Sequence, residues 1–159
     1  MFSWLTSTHI GKLIATFLIS MLPIVELRGG IPYGVGFGLK PYEAFIVAVL
    51  GNMLPVPFIL LLLEKVLQWM KKQENFLGKA ANWLEKKAYS KQDTIEKFKA
   101  FGLFVLVAIP LPGTGAWTGS LVAVVLGIDK KKAFPIIFAG VITAGIIMLL
   151  VSYGVKAIF

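Results

Sequence analysis

The sequence predicts an all-α integral membrane protein. It is read as two inverted repeats, each a re-entrant helical hairpin followed by a transmembrane helix, joined by a cytoplasmic amphipathic helix. Three observations predict it: charge-free runs long enough to span a bilayer, a Pro/Gly break inside one of them, and a sequence echo at an offset of 89 residues. Composition sets the frame. Of 159 residues, 57% are hydrophobic and 15% charged, with a mean hydropathy of +0.82. A soluble domain carries about 25% charge and leaves much of its surface wet at this size. A water-soluble globule is therefore excluded. The net charge of +8 does not rescue a nucleic-acid partner, because so apolar a chain needs lipid as its solvent. There is no cysteine, which removes disulfide frameworks and cysteine-rich metal sites.

The spans come first. Residues 44–63 and 133–155 are charge-free, and each matches the roughly 20 apolar residues needed to cross about 30 Å of hydrocarbon. Pro55 and Pro57 should bend the first span. Gly140 and Gly145 on the second permit close helix contact. Glu64–Lys99 carries nine Lys, four Glu and one Asp. Basic short loops stay inside, so this segment should be cytoplasmic. Leu77, Ala81, Leu84 and Ala88 recur at helical spacing among Lys79, Glu85, Lys86 and Lys87, the pattern of an amphipathic helix. It could lie on anionic lipid or pack as a solvated linker. The first 22 residues lack a charged n-region and a small-x-small cleavage site and are read as retained.

The third run, residues 100–128, must turn back. Lys97 and Lys99 precede it and Lys130–Lys132 follow it, so a single crossing would leave one basic cluster outside. Its middle reads Pro110-Leu-Pro112-Gly113-Thr114-Gly115. The prolines remove donors and disfavour helix before them, and the glycines permit a bend. Two legs, 101–109 and 120–128, would each reach about 14 Å, half a membrane. The alternative is one kinked spanning helix. Irregular backbone at that depth must be buried in protein or line a watery cavity, so the hairpin needs a partner.

The partner appears when the chain is slid by 89 positions. Leu22-Pro23 falls on Leu111-Pro112, Gly30 on Gly119, Gly38 on Gly127, Ala44-Phe45 on Ala133-Phe134 and Gly51 on Gly140. Repeat one is then about 10–63, the cytoplasmic segment 64–99 and repeat two about 100–155, within a single membrane domain. The two spans run in opposite directions. Inverted repeats whose broken helices meet at mid-membrane are a transporter pattern, with the site at the breaks. Repeat symmetry places the N-terminus outside; a full crossing by residues 2–22 would place it inside.

Glu26 and Arg28 are the only charges between Lys12 and Lys40. Charge inside a membrane is costly and points to function. A Glu26 carboxyl buried where the hairpin tips meet could exchange protons near neutral pH. The alternative is an ion pair with Arg28 that fixes the hairpin. Arg28 is also a planar fork suited to phosphate or carboxylate. The N-terminal ends of the second legs, near Gly29, Gly30, Pro32 and Gly119, would attract an anion. Thr114 and Thr118 add hydroxyls, Trp117 either stacks on substrate or packs, and Asn52 either lines the path or bonds the hairpin. The candidate substrate- or ion-binding set is Glu26, Arg28, Gly29, Gly30, Pro32, Asn52, Pro112, Gly113, Thr114, Gly115, Trp117 and Thr118. His9, the only histidine, is not a metal site by itself. No catalytic triad, phosphate loop or dinucleotide fingerprint is present, so no enzyme, cofactor or metal is expected.

Glu26-Leu-Arg-Gly-Gly-Ile-Pro32 and Pro110-Leu-Pro-Gly-Thr-Gly-Ala-Trp-Thr-Gly119, followed by Leu126-Gly127, resemble the prokaryotic small multi-drug export family, which is related to the DedA/VTT membrane proteins. The resemblance covers nearly the whole chain. It implies an inner-membrane exporter, or a DedA-like flippase or scramblase for an anionic lipid such as undecaprenyl phosphate. In DedA-type proteins an acidic residue of the first hairpin and an arginine of the second are functional. Glu26 matches the first; the second hairpin has no arginine, since Arg28 is the only one in the chain. The expected function is a secondary transporter working by alternating access around the facing hairpins, proton-coupled through Glu26. A membrane scaffold docking through Glu64–Lys99 is a third reading. The partners expected are the lipid bilayer, a small-molecule or lipid substrate and a second copy in a homodimer.

Overall fold

Prolines, glycines and short polar residues set the helix ends. The computed structural model describes residues 4–72, 78–79, 92–111 and 113–158, and every regular element among them is an α-helix. One turn, α1 (Trp4–Ser7), precedes α2 (His9–Met21), whose N-cap Thr8 accepts from the Gly11 N–H at 3.0 Å. Next come α3 (Glu26–Gly36) and α4 (Pro41–Met53). Pro41 opens α4, where its missing N–H is no loss, and the Lys40 N–H donates to Glu43 at 3.0 Å. Leu54 alone separates α4 from α5 (Pro55–Lys71). The break falls directly ahead of Pro55, which has no N–H to continue the helical ladder. The second half holds α6 (Gln92–Ala108), α7 (Ala116–Val125) and α8 (Lys130–Ile158).

Two apolar helical stretches are long enough to cross a membrane, Pro41–Val66 and Lys130–Val155, each of 26 residues. Only 39% and 28% of their apolar windows are buried, whereas the core helix of a soluble protein is mostly covered. The outer faces carry Ile10, Phe58, Leu62, Phe98 and Leu150, all exposed. Apolar surface this extensive is a lipid-facing feature.

The run 100–128 is not one kinked helix. It stops at Ala108 and restarts at Ala116, and α6 and α7 pack on each other. The legs differ from those read in the sequence. α6 begins eight residues before residue 100, because the helix continues through the charged stretch from Gln92, and α7 begins at Ala116 rather than at residue 120. The amphipathic pattern of Leu77, Ala81, Leu84 and Ala88 lies outside the described residues, as does Pro112.

Residues 89 apart end their helices alike. Gly38 (φ 89°) and Gly127 (φ 67°) both sit in the left-handed region. The Leu39 N–H donates to Gly34 O and the Ile128 N–H to Ala123 O, each at 2.9 Å; Gly38 donates to Val35 O and Gly127 to Val124 O, each at 3.1 Å. These are two Schellman caps of the same form. Glycines also sit at matching contacts. A Cβ on Gly30 would overlap the Ser20 hydroxyl of α2, and one on Gly119 would overlap Val107 of α6.

Packing crosses the halves. α2 lies on α3 and α4, and α6 on α8. α3 also packs on α8, and α7 on α5. The second leg of each hairpin thus leans on the span of the other half. The core where they meet includes Leu27, Ile31, Ala48, Val56, Val107, Ala116, Ile137 and Val141.

Candidate functional site

The hairpin tips meet, and the contact is polar. Four residues, 22–25, join α2 to α3, and the chain enters α3 through Glu26, whose φ of 51° is the only positive value at a described non-glycine residue. Such a conformation costs about 1–3 kcal/mol and persists only where the surroundings dictate it. Here it sends a carboxylate, 2% exposed, into the other hairpin. Glu26 Oε1 accepts from the Trp117 N–H at 3.1 Å and Oε2 from the Ala116 N–H at 3.4 Å. The first N–H groups of a helix lack intrahelical partners, and the N-cap of α7 is Gly115, which has no side chain to supply one. Glu26 supplies it from 90 residues away. The Asn52 side chain of α4, 1% exposed, lies beside the carboxylate.

Arg28 does not close an ion pair with Glu26. Its guanidinium donates to the Leu111 carbonyl at 2.5 Å, the Thr114 carbonyl at 2.6 Å and the Thr114 hydroxyl at 2.6 Å, with a longer contact to Ile109 O at 3.4 Å. The Thr114 hydroxyl in turn donates to the same stretch, with Ile109 O and Leu111 O both at 2.8 Å. In the reverse direction, the Trp117 indole N–H donates to Met21 O at 3.1 Å. Arg28 and Trp117 are 89 residues apart, so each hairpin sends a donor from the same register position to carbonyls of the other.

Residues 26–147 match the model of a protein family described as "Putative small multi-drug export protein". The chain belongs to this family. No curated protein and no solved structure matches it. The small multi-drug export match begins at Glu26 itself and contains Arg28, Asn52, Thr114 and Trp117. Every tip contact except that to Met21 therefore lies within the region matched to the family.

Of the residues singled out in the sequence, the structure brings together Glu26, Arg28, Asn52, Thr114, Gly115 and Trp117. Gly113 (φ 80°) and Gly115 (φ 121°) make the turn, and a Cβ on Gly115 would overlap the Glu26 carboxylate. Gly29, Gly30 and Pro32 lie further along α3, where Gly30 serves packing against α2. Thr118 is half-buried on α7 and outside the network. The expected anion-attracting groups are occupied from within: the α7 N–H groups by Glu26, and Arg28 by carbonyls. Among the described residues three buried side-chain atoms have no partner; two of them, Asn52 Oδ1 and Arg28 Nε, lie at the tips, and the third is Ser152 Oγ of α8. Sequence reading missed Ala116, Met21, Ile109 and Leu111, which act through backbone groups that any residue supplies. One signal was available: at the offset of 89, Glu26 stands opposite Gly115, and both adopt positive φ.

Proposed function

We propose that this small multi-drug export protein is a secondary transporter of the prokaryotic inner membrane, with two re-entrant hairpins of opposite orientation as its moving parts. One observation carries the reading: the hairpin tips are joined by buried polar contacts, Glu26 to Ala116 and Trp117, and Arg28 to Leu111 and Thr114. Polar contacts between two broken segments form a latch that can open and re-form, as alternating access around a mid-membrane break requires. The paired Schellman caps and the register of Arg28 with Trp117 support the inverted repeat.

In this reading Glu26 is the coupling carboxyl. Protonation removes its negative charge from the α7 N-terminus and weakens the latch; deprotonation restores it. A transported molecule enters between the tips when they part, and the unpartnered Asn52 Oδ1 and Arg28 Nε are the polar atoms that receive it. Anion translocation is less well supported, because an anion would have to displace Glu26 from α7 and the carbonyls from Arg28. Residues 64–99 face the cytoplasm, and a homodimer covers part of the hairpins' outer surface.

Two experiments test this. Because the chain has no cysteine, Lys99→Cys and Lys131→Cys can be labelled singly in cells. Both should react from the cytoplasm, and reaction from opposite faces ends the hairpin reading. In proteoliposomes, efflux of lipophilic cations should follow an imposed pH gradient, and Glu26→Gln should abolish that dependence. Transport unchanged in Glu26→Gln removes the coupling role.

A further inference from the structure

Buried polar side chains of this core have hydrogen-bond partners, with one exception. Among the described residues they are Thr16, Ser20, Glu26, Asn52 and Ser120. Thr16 donates to Lys12 O at 2.8 Å, Ser20 to Thr16 O at 2.7 Å and Ser120 to Ala116 O at 2.6 Å. Glu26 accepts from the start of α7. The exception is Asn52, whose Oδ1 has no partner although the residue is 1% exposed and lies beside the Glu26 carboxylate. We propose that Asn52 is the positioning residue for the proton carried by Glu26, its amide oxygen accepting from the O–H of the neutral acid. The inference rests on the coupling role given to Glu26 above.

The chemistry of the neighbours is the first argument. A carboxylate only accepts, whereas a carboxylic acid also donates and needs an acceptor. The groups that meet the Glu26 oxygens are the N–H donors of Ala116 and Trp117. Arg28, the charged neighbour, has donors and no acceptor. The carbonyls of Leu111 and Thr114 already accept from Arg28, and that of Met21 from the Trp117 indole. An amide carries both functions, and half a turn of its last torsion exchanges them. The NH2 end suits ionised Glu26 and the oxygen suits the neutral acid, so one side chain serves both forms without moving a helix. No second charged group intervenes: residues 13–25, 44–63, 100–128 and 133–155 carry no charge, which leaves Arg28 as the charged side chain beside Glu26.

The mirrored position is the second argument. At the offset of 89, Asn52 corresponds to Val141 and Glu26 to Gly115. Val141 is fully buried in the same core. Packing at this place is satisfied by a valine, so the amide of Asn52 answers to something other than packing. Carboxyl and amide both belong to the first half, which makes one proton site per chain. The oxygen assigned above to the transported molecule is then occupied while Glu26 is neutral and open once the proton has left, so proton and molecule take turns at one atom.

The test is infrared difference spectroscopy of the full chain in liposomes, titrated from alkaline to acid pH. Acidification should bring up the C=O stretch of a protonated carboxyl group, at a wavenumber below that of an acid with a free O–H. Glu26→Gln should remove this band. Asn52→Val, which installs the residue of the mirrored position, should keep the band and move it to higher wavenumber, because the O–H has lost its acceptor. A purely structural role for Asn52 would leave the band where it is. A native band at the free-acid position, or one unmoved by Asn52→Val, overturns the inference and leaves the coupling role of Glu26 standing. A titration unchanged by Glu26→Gln removes that role and the inference with it. Asn52→Leu carries the test if the valine variant does not fold.

Discussion

Glu26 and Trp117 are joined by a hydrogen bond of 3.1 Å from the backbone N–H of one to the carboxylate of the other. It makes the start of one hairpin's second leg the N-cap of the other's. A carboxylate at a helix N-terminus contributes typically 0.3–1 kcal/mol, up to about 2 kcal/mol when partly buried. Its removal would also leave the Ala116 and Trp117 N–H groups buried and unpaired, at about 1–3 kcal/mol.

Gly115 cannot become alanine at low cost. Its φ of 121° excludes a side chain, and a Cβ would overlap Glu26. Gly115→Ala should lower stability by about 2 kcal/mol or more, read as the thermal midpoint in detergent. Gly102→Ala is the control. Gly102 lies within α6 with open space where a Cβ would go, so alanine there should be neutral or stabilising by up to about 1 kcal/mol.

Arg28→Lys should cost about 1.5–3 kcal/mol, the weight of hydrogen bonds to a charged group. One ammonium cannot span Ile109, Leu111 and Thr114 as the guanidinium fork does. Thr114→Val should cost about 1 kcal/mol. The double variant should lose less than the sum, because the two side chains share one network. Strict additivity in a double-mutant cycle would mean that the bond between them contributes nothing.

Asn52→Asp should be worse than Asn52→Ala. Both lose the amide that meets Glu26, but the aspartate adds a second carboxylate beside it at a position 1% exposed, and like charges at such a site repel strongly. The comparison is made on yield and thermal midpoint of the folded protein; equal values for the two variants would contradict it.

Two glycine contacts should respond differently to the same change. A Cβ on Gly51 meets the Phe17 backbone, whereas one on Gly30 meets the hydroxyl of Ser20, which can rotate or be removed. Gly51→Ala should therefore destabilise more than Gly30→Ala. Adding Ser20→Ala should restore most of the stability lost in Gly30→Ala. If the second change does not help, the α2–α3 contact is not set by that hydroxyl.

The architecture was legible where it rests on long-range averages. Charge-free, mostly apolar runs of 20 and 23 residues can hardly be anything but apolar helices, and Pro110 with Gly113 and Gly115 marks a break in any environment. Glu26 and Arg28 were legible as an anomaly, charge where none should be. Their partners were not. Arg28 binds carbonyls of Ile109, Leu111 and Thr114, and a carbonyl has no residue identity. The reach of α6 back to Gln92 was hidden because charge count locates the membrane edge, while helical propensity carries on across it. The left-handed backbone of Glu26 contradicts its own preference and is imposed by the contact it makes.

The exchange of supports between halves constrains how the molecule is born. Ribosomes deliver Glu26 long before Trp117, and α3 leaves the exit tunnel before α8 has been translated. For that interval the first hairpin holds a carboxylate with no helix end to receive it and an arginine with no carbonyls. It can reach its final seat only after α7 arrives. The first hairpin's polar tip therefore has its partners only once the second half has been made, and until then its carboxylate and guanidinium need some other shelter from lipid.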